Sequence, residues 1–108
     1  MYGARDREFP VELENLTYEH FVPFVGETFR LTGDDGRVVD IELTDARKET
    51  GVGTGSAFSL LFRGPASPLL RQRVYDLEHG QLGGLSIFLV PVEAQSEGIT
   101  YQAVFTRL

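Results

Sequence analysis

The longest uninterrupted apolar run in the sequence extends over residues 83–92 and reads Gly-Gly-Leu-Ser-Ile-Phe-Leu-Val-Pro-Val. Successive side chains of a strand point to opposite faces, and here both alternating sets are apolar. A strand of this composition is covered on both faces over much of its length. The run therefore predicts a central strand of a β-rich core. Pro91 cannot donate a hydrogen bond to a neighbouring strand, so pairing should weaken or bulge there.

Alternating apolar and polar positions predict five further strands in the rest of the chain. Turns of about 3 to 10 residues join them, which excludes parallel crossovers. We expect a mainly β fold, a six-stranded antiparallel meander that forms a small barrel or a two-layer sandwich, with the 83–92 strand between the fourth and sixth strands. The barrel-like form is favoured. The predicted strands lie near residues 28–32, 39–44, 56–63, 72–79, 83–92 and 100–107.

The inward residues of the first two strands, Phe29, Leu31, Val39 and Ile41, all carry odd numbers. A two-residue loop would place Leu31 opposite a carboxylate on the same face. A three-residue loop, 34–36, pairs Leu31 with Val39 and places Gly36 in the left-handed conformation that such loops require. The parity of the sequence therefore predicts the three-residue hairpin.

One short helix is predicted near the N-terminus. Thr17 is a suitable N-cap, with Leu16 before it and Phe21 at the spacing of a hydrophobic staple. Pro23 limits the helix and Gly26 closes the segment. We expect one or two turns that cap one end of the β core.

The length of 108 residues fits one domain, with a core over about residues 16–107 and a loose segment over 1–8. Residues 9–15 alternate apolar and acidic positions and suit an extended arm lying on the domain. The glycine-rich segment 51–55 leads into a strand rather than a helix, so a flexible hairpin loop fits it better than a phosphate site.

Composition excludes several classes of function. The 10 basic and 16 acidic side chains give a formal net charge of −6, which repels nucleic acid and anionic lipid, so we expect neither as a partner. Without cysteine there is no disulfide, zinc–thiolate site or thiol nucleophile. No metal or cofactor is expected.

The first ten residues lack the apolar region of a secretory signal, and no run approaches the ~20 apolar residues that cross a bilayer. We expect a soluble cytoplasmic protein. Export by a machinery that reads no N-terminal signal is an alternative compatible with the same sequence.

The two histidines, His20 and His79, are the side chains whose charge changes near neutral pH without perturbation. A structural or surface role is favoured for each, because neither has a metal-ligating or catalytic partner at a suitable spacing. If the helix caps the core near the end of the fourth strand, His20, His79 and Glu27 could converge. That convergence is a hypothesis.

Two further sets of side chains are candidates for binding. Arg63, Arg71 and Arg73 form a basic group around a proline-containing loop, where they could dock an acidic partner or a second copy of the chain. Tyr75 and Tyr101, with His79 and a loop over residues 46–55, could line the mouth of a ligand-binding barrel.

Five carboxylates crowd the first hairpin. They lack the alternate spacing of a calcium loop, and acidic side chains on an edge strand protect it from aggregation. We interpret them as an acidic edge. They are Asp34, Asp35, Asp40, Glu42 and Asp45.

An ordered series of motifs resembles a family of small bacterial β-rich domains of unknown function, of about 100 residues, over roughly residues 16–106. The resemblance implies no catalytic residue, and it associates some members with phage-tail-like gene neighbourhoods. The motifs are Phe21, Val25-Gly-Glu-Thr-Phe, Phe58-Ser-Leu-Leu-Phe-Arg-Gly-Pro, Leu70, Gln72, Tyr75-Asp-Leu-Glu-His, Leu82-Gly, Ile87-Phe-Leu-Val-Pro-Val and Tyr101-Gln-Ala-Val-Phe.

Three hypotheses of function follow. The first is a non-enzymatic structural or interaction module that self-associates or docks a protein partner in a bacterial or phage-tail-like assembly. The second is a β-barrel that binds a small molecule. The third is an enzyme that uses His20 or His79. The sequence alone favours the first, because no catalytic constellation is present, and it does not identify a partner or a ligand.

Overall fold

The computed structural model describes residues 17–33, 35–49 and 56–107. These contain one short α-helix, a 3₁₀ turn and six strands, and the prediction of a mainly β chain with six antiparallel strands is confirmed. The segments 1–8, 9–15 and 51–55, on which predictions were made, lie outside the described residues. The elements are α1 (Tyr18–Phe21), the 3₁₀ turn (Val22–Phe24), β1 (Thr28–Thr32), β2 (Val38–Glu49), β3 (Ser56–Gly64), β4 (Arg73–His79), β5 (Gly83–Gln95) and β6 (Gly98–Arg107).

The six strands form one sheet that closes on itself in the order β1-β2-β3-β6-β5-β4. All neighbours are antiparallel. As predicted, β5 lies between β4 and β6. The order departs from a sequential meander at one connection, because β3 pairs with β6 and β4 pairs with β1.

Two long strands each change partner part-way along. β2 pairs with β1 over residues 38–42 and with β3 over residues 42–49. β5 pairs with β4 over residues 83–89 and with β6 over residues 90–95. The register shifts between Leu43 and Asp45 in β2 and between Pro91 and Glu93 in β5, so the bulge predicted near Pro91 is confirmed. Bulges bend strands, which lets one strand turn the corner between two parts of a sheet.

The first hairpin has the predicted register, with Leu31 opposite Val39 and Phe29 opposite Ile41. The Gly33 N–H donates to the Arg37 carbonyl at 2.7 Å, which closes a three-residue loop. Gly36 has a φ of +83°, the left-handed conformation that the parity of the sequence required.

The interior of the closed sheet is filled by apolar side chains from every strand. Phe21 on α1 is fully buried and packs 5.9 Å from Phe58 and 6.0 Å from Phe105, measured between ring centroids. The helix therefore covers one end of the core, as predicted. Within the described part of the chain, no helix has the length and apolar character needed to cross a membrane.

Candidate functional site

The predicted site residues lie at two opposite ends of the closed sheet. β4 runs from the β3–β4 loop to the β4–β5 turn, so Tyr75 and His79 on this strand are separated by about 13 Å. We call the end under the β3–β4 loop, residues 65–72, the loop end, and the end covered by α1 the helical end. The arginines and tyrosines among the predicted residues lie towards the loop end, and both histidines lie at the helical end.

Two buried tyrosines bind the backbone of the β3–β4 loop through their hydroxyl groups. The Tyr101 hydroxyl accepts a hydrogen bond from the Leu70 N–H at 3.0 Å, and the Tyr75 hydroxyl donates to the Arg71 carbonyl at 2.6 Å. Burial raises the pKa of the Tyr101 phenol above its ordinary value, and the Leu70 N–H partly offsets this rise. Both hydroxyls are therefore used to fix a loop.

The predicted mouth of a ligand-binding barrel is wrong in its geometry. His79 lies at the helical end, whereas the hydroxyls of Tyr75 and Tyr101 meet the loop at the other end. Residues 46–49 belong to β2 rather than to a loop. The alternation had indicated which residues point inward, and it carried no information about which end of the sheet each would reach.

The predicted arginine group is spread along the loop end. Arg63 is half-buried against β6, where its Nε lies 2.9 Å from the position that a Cβ on Gly98 would take. Arg73 lies over the Tyr75 ring, with its guanidinium carbon 5.7 Å from the centroid, and Arg71 is exposed on the loop. Arg63 and Arg37 line a shallow groove of about 590 Å³ beside β2.

The first hairpin is less purely acidic than the sequence suggested. Arginines lie among its carboxylates and form exposed ion pairs, each of which contributes little to stability. The carboxylates of the predicted acidic edge are therefore partly neutralised by neighbouring arginines. The pairs are Arg30–Asp40 at 3.7 Å, Arg37–Asp35 at 3.6 Å and Arg47–Asp45 at 2.6 Å.

His79 is buried at the helical end, and both ring nitrogens have partners. The backbone N–H groups of Gln81 and Leu82 donate to Nδ1 at 3.1 and 3.3 Å. Because Nδ1 accepts, the proton of the neutral ring is on Nε2, which donates to Glu27 Oε1 at 2.7 Å. His79 therefore joins the β4–β5 turn to the entry of β1.

His20 does not join this pair. Its Nδ1 accepts a hydrogen bond from the Thr17 N–H at 2.9 Å, so it caps its own helix from an exposed position. The predicted convergence thus holds for Glu27 and His79 and fails for His20. The reason is local, because a side chain at the third helical position can reach back to the N-cap.

The helix is also attached to β2 through its exposed face. Lys48 Nζ lies 3.2 Å from Glu19 Oε2 and 5.4 Å from the centroid of the Tyr18 ring. The pKa of Glu19 is lowered, first by a backbone hydrogen bond and then by Lys48. Among the described residues, no group of three or more histidine, aspartate or glutamate side chains could hold a metal ion.

A further surface was not identified from the sequence as a binding site. Val74 on β4 and Phe88 on β5 are directly opposite each other and are 54% and 49% exposed. Val92 on β5 and Val104 on β6 are also more than half exposed. We call the opposed pair Val74 and Phe88 the β5 surface.

Phe88 of this pair lies in a stretch of β5 that, among the described residues, has a strand partner on one side only. Residues 83–89 of β5 pair with β4, and in the described parts of the chain no strand pairs with their other edge. The outward positions of this segment, Gly84, Ser86 and Phe88, carry no charge. The corresponding signal in the sequence is the double apolar alternation of 83–92, which predicts a strand covered on both faces over much of its length.

A family model described as a domain of unknown function, DUF6916, matches residues 16–105. The chain belongs to the DUF6916 family. The resemblance to a family of small domains of unknown function is thereby confirmed. No curated protein and no solved structure matches the chain.

The DUF6916 match covers β1 to β5 and β6 as far as residue 105, and it assigns no activity to them. The match begins at residue 16, next to the helix, so both the His79–Glu27 contact and the β5 surface belong to the part of the chain that the DUF6916 model describes. The residues before 16 lie outside it.

Proposed function

We propose that this DUF6916 domain is a non-enzymatic protein-interaction module that docks a partner on the β5 surface and the adjoining edge of β5. The observation that carries the proposal is the half-exposed pair Val74–Phe88 beside a strand edge that has no partner in the described residues. Exposed apolar patches on soluble proteins mark interaction sites, and an open strand edge accepts an extended backbone.

The contrast with β2 supports this choice of surface. Residues 38–41 of β2 are also paired on one side within the described residues, but their outward side chains include Asp40, which is held by Arg30 at 3.7 Å. Charged side chains on a strand edge prevent that edge from pairing with the strand of another molecule. Residues 83–89 of β5 carry no charged side chain of their own, and Ser86 among them donates to Asp76 on the paired strand β4 at 2.9 Å.

The chemistry of the two ends favours binding over catalysis. His79 uses both ring nitrogens to hold backbone and Glu27, and His20 caps a helix, so neither is poised as a general base. The interior is filled by buried apolar side chains, which disfavours a small-molecule barrel. A bacterial or phage-tail-like assembly, expected from the resemblance, would supply a protein partner.

A matched pair of variants tests the surface. Val74 and Val38 are both valines on strands with the same exposed fraction, 54%, and only Val74 belongs to the β5 surface. Peptides that bind the immobilised protein are selected from a library of short random sequences. The Kd of each selected peptide is then measured for the unmodified protein, Val74→Lys and Val38→Lys. Because a lysine would bring an unpaired charge into the contact, we expect at least about tenfold weaker binding to Val74→Lys alone.

Two outcomes would contradict the proposal. One is a selection that yields no binding peptide from an extended library. The other is a set of peptides that bind both lysine variants as tightly as the unmodified protein, since these would dock elsewhere.

A further inference from the structure

We propose that protonation of His79 releases the β4–β5 turn, residues 80–82, so that mildly acidic solution opens this corner of the closed sheet while the core stays folded. The observation that carries the proposal is the hydrogen bonding of the buried ring. Nδ1 accepts from the backbone N–H groups of Gln81 and Leu82 at 3.1 and 3.3 Å, and Nε2 donates to Glu27 Oε1 at 2.7 Å. None of these residues belongs to the β5 surface.

A second proton can enter the His79 ring only at Nδ1, because Nε2 already carries one. A charged imidazole has two N–H donors and no acceptor. The new Nδ1 proton would point at two other donors, the N–H groups of Gln81 and Leu82, so the contact that holds the turn becomes a repulsion. Histidine is the side chain that ordinarily changes its charge between about pH 5 and pH 8. The turn therefore has to leave the ring when His79 becomes charged.

The Glu27 carboxylate favours the charged ring. Glutamate is ordinarily ionised above about pH 5. A positive charge on the ring would convert the contact between Nε2 and Glu27 into a stronger, charge-assisted hydrogen bond. Protonation thus strengthens the attachment of His79 to the entry of β1 and breaks its attachment to the β4–β5 turn. We expect the charged ring to stay between Phe24 and Phe29, which lie 4.7 Å from it between centroids, while the turn is released.

The other charged groups near His79 are not bonded to its ring. The charged residues of the groove of about 360 Å³ that His79 borders are Arg30 on β1, Asp40 on β2 and Glu78 on β4. Arg30 lies 3.7 Å from Asp40, and Glu78 points to the opposite face of β4 from His79. The β4–β5 turn and the 3₁₀ turn contain no charged residue. Among the described residues, Glu27 is therefore the charged side chain that contacts the ring.

The β4–β5 turn has few buried contacts that would oppose its opening. Gly80 and Gly84 are exposed, and Leu82 is half-buried. Segments with little buried apolar surface open locally at a low free energy. The next buried pair along the two strands is Leu77 opposite Leu85, and both side chains belong to the core. The opening should therefore end before this pair, and it should expose Leu82.

Amide hydrogen exchange, followed by NMR on the full-length chain, tests the proposal. Exchange is measured at about pH 8 and about pH 5, the limits of the ordinary histidine range, and is corrected for the intrinsic effect of pH on exchange. Because the Gln81 and Leu82 amides lose their acceptor, we expect their protection to fall about tenfold or more at the lower pH. Leu77 lies in β4 with a strand on each side, so its amide is the internal control and should keep its protection.

The NMR nitrogen signals of the His79 ring show whether this proton causes the opening. The midpoint pH at which Nδ1 becomes protonated should coincide with the midpoint at which Gln81 and Leu82 lose protection. Glu27→Gln retains an acceptor without the charge, so both midpoints should move to lower pH. His20→Ala, the matched control, should leave both midpoints unchanged, because His20 contacts Thr17 and not His79.

Four results would overturn the proposal. The His79 ring could become charged while the Gln81 and Leu82 amides stay protected, or these amides could lose protection while the ring stays neutral. The ring could stay neutral until the Leu77 amide is exposed as well, which would indicate global unfolding. These three results are read from the unmodified chain, so they do not depend on the folding of a variant. The fourth is a Glu27→Gln chain whose midpoints do not move.

Discussion

Glu27 Oε1 lies 2.7 Å from His79 Nε2, a contact between two residues that are 52 positions apart in the chain. The carboxylate precedes β1 and is half-exposed, whereas the imidazole is buried at the end of β4. The His79 ring also lies 4.7 Å from the Phe24 ring and 4.7 Å from the Phe29 ring, measured between centroids. One side chain thus connects the 3₁₀ turn, β1 and the β4–β5 turn.

Replacing His79 by alanine should destabilise the fold markedly. The change leaves the N–H groups of Gln81 and Leu82 without their acceptor and opens a gap beside two aromatic rings. Each unsatisfied buried donor costs about 1–3 kcal/mol, so we expect the free energy of unfolding to fall by roughly 2–4 kcal/mol in urea titrations.

His20→Ala is the control for this prediction. His20 is exposed and caps a one-turn helix, so its loss should cost about 0.5–1 kcal/mol, at the lower end of capping effects. Equal losses in the two variants would contradict the structural role assigned to His79.

Tyr101 should make the stability depend on pH in alkaline solution. Burial raises the pKa of its phenol above the ordinary value of 10.0, so the folded chain holds this proton more tightly than the unfolded chain. The unfolded state then binds fewer protons between the two pKa values, and stability falls as pH rises through that window. Below pH 10 the contribution of this group is fully present.

Tyr101→Phe separates the two roles of the hydroxyl. The variant should lose about 1 kcal/mol at neutral pH, because the Leu70 N–H no longer has its acceptor, and its free energy of unfolding should decline less steeply above pH 10. Unfolding by urea at several pH values measures both effects, with Tyr18→Phe as the control. An unchanged slope above pH 10 would show that another group governs the alkaline decline.

The helix should matter through Phe21 rather than through its own hydrogen bonds. Isolated helices of one turn are not stable, and Phe21 has no exposed surface between Phe58 and Phe105. We expect Phe21→Ala to lower the free energy of unfolding by about 3–5 kcal/mol, and Val22→Ala, at an exposed neighbouring position, to lower it by less than about 1 kcal/mol. A loss at Phe21 no larger than that at Val22 would mean that the helix does not close the core.

The features that sequence reasoning predicted correctly are local ones. The register of the first hairpin followed from the odd numbers of Phe29, Leu31, Val39 and Ile41. Side chains on a strand alternate with a period of two, so a two-residue loop would have placed these residues on opposite faces, and a three-residue loop places them on one face. The break near Pro91 followed from its missing N–H. In both cases a single covalent property decides the geometry.

Partners across the closed sheet were not predictable in the same way. Alternation shows which face a residue occupies but not which strand lies beside it, so the β3–β6 and β1–β4 pairings were missed. The bulge near Thr44 also reverses the parity of β2. Leu43 is buried before the bulge and Ala46 after it. The alternation of apolar and polar residues is therefore interrupted, and it does not indicate that β2 continues to Glu49.

The same limitation applied to the candidate sites. The hypothesis that the helix caps the core near the end of the fourth strand brought His20, His79 and Glu27 together, and the structure joins only His79 and Glu27. The β5 surface was overlooked because an apolar residue at an outward position has the same sequence signature as one covered on both faces. Whether other residues cover the Phe88 side chain depends on which chain segments pack on the outer face of β4 and β5, and the sequence pattern does not show this.

Gly98 provides a final prediction about the loop end. A Cβ at this position would lie 2.8 Å from the Gly64 carbonyl oxygen and 2.9 Å from Arg63 Nε. The arginine can move, but the carbonyl belongs to the backbone where β3 meets β6, so the two strands must separate. We expect Gly98→Ala to lower the free energy of unfolding by about 1–3 kcal/mol, the usual cost of overpacking.

Gly80→Ala, with no atom within 4 Å of its Cβ position, is the control and should change stability by less than about 1 kcal/mol in the same urea titration. If Gly98→Ala were as stable as Gly80→Ala, the close approach of Gly98 to β3 would have to be wrong, and with it the position of the Arg63 side chain against β6.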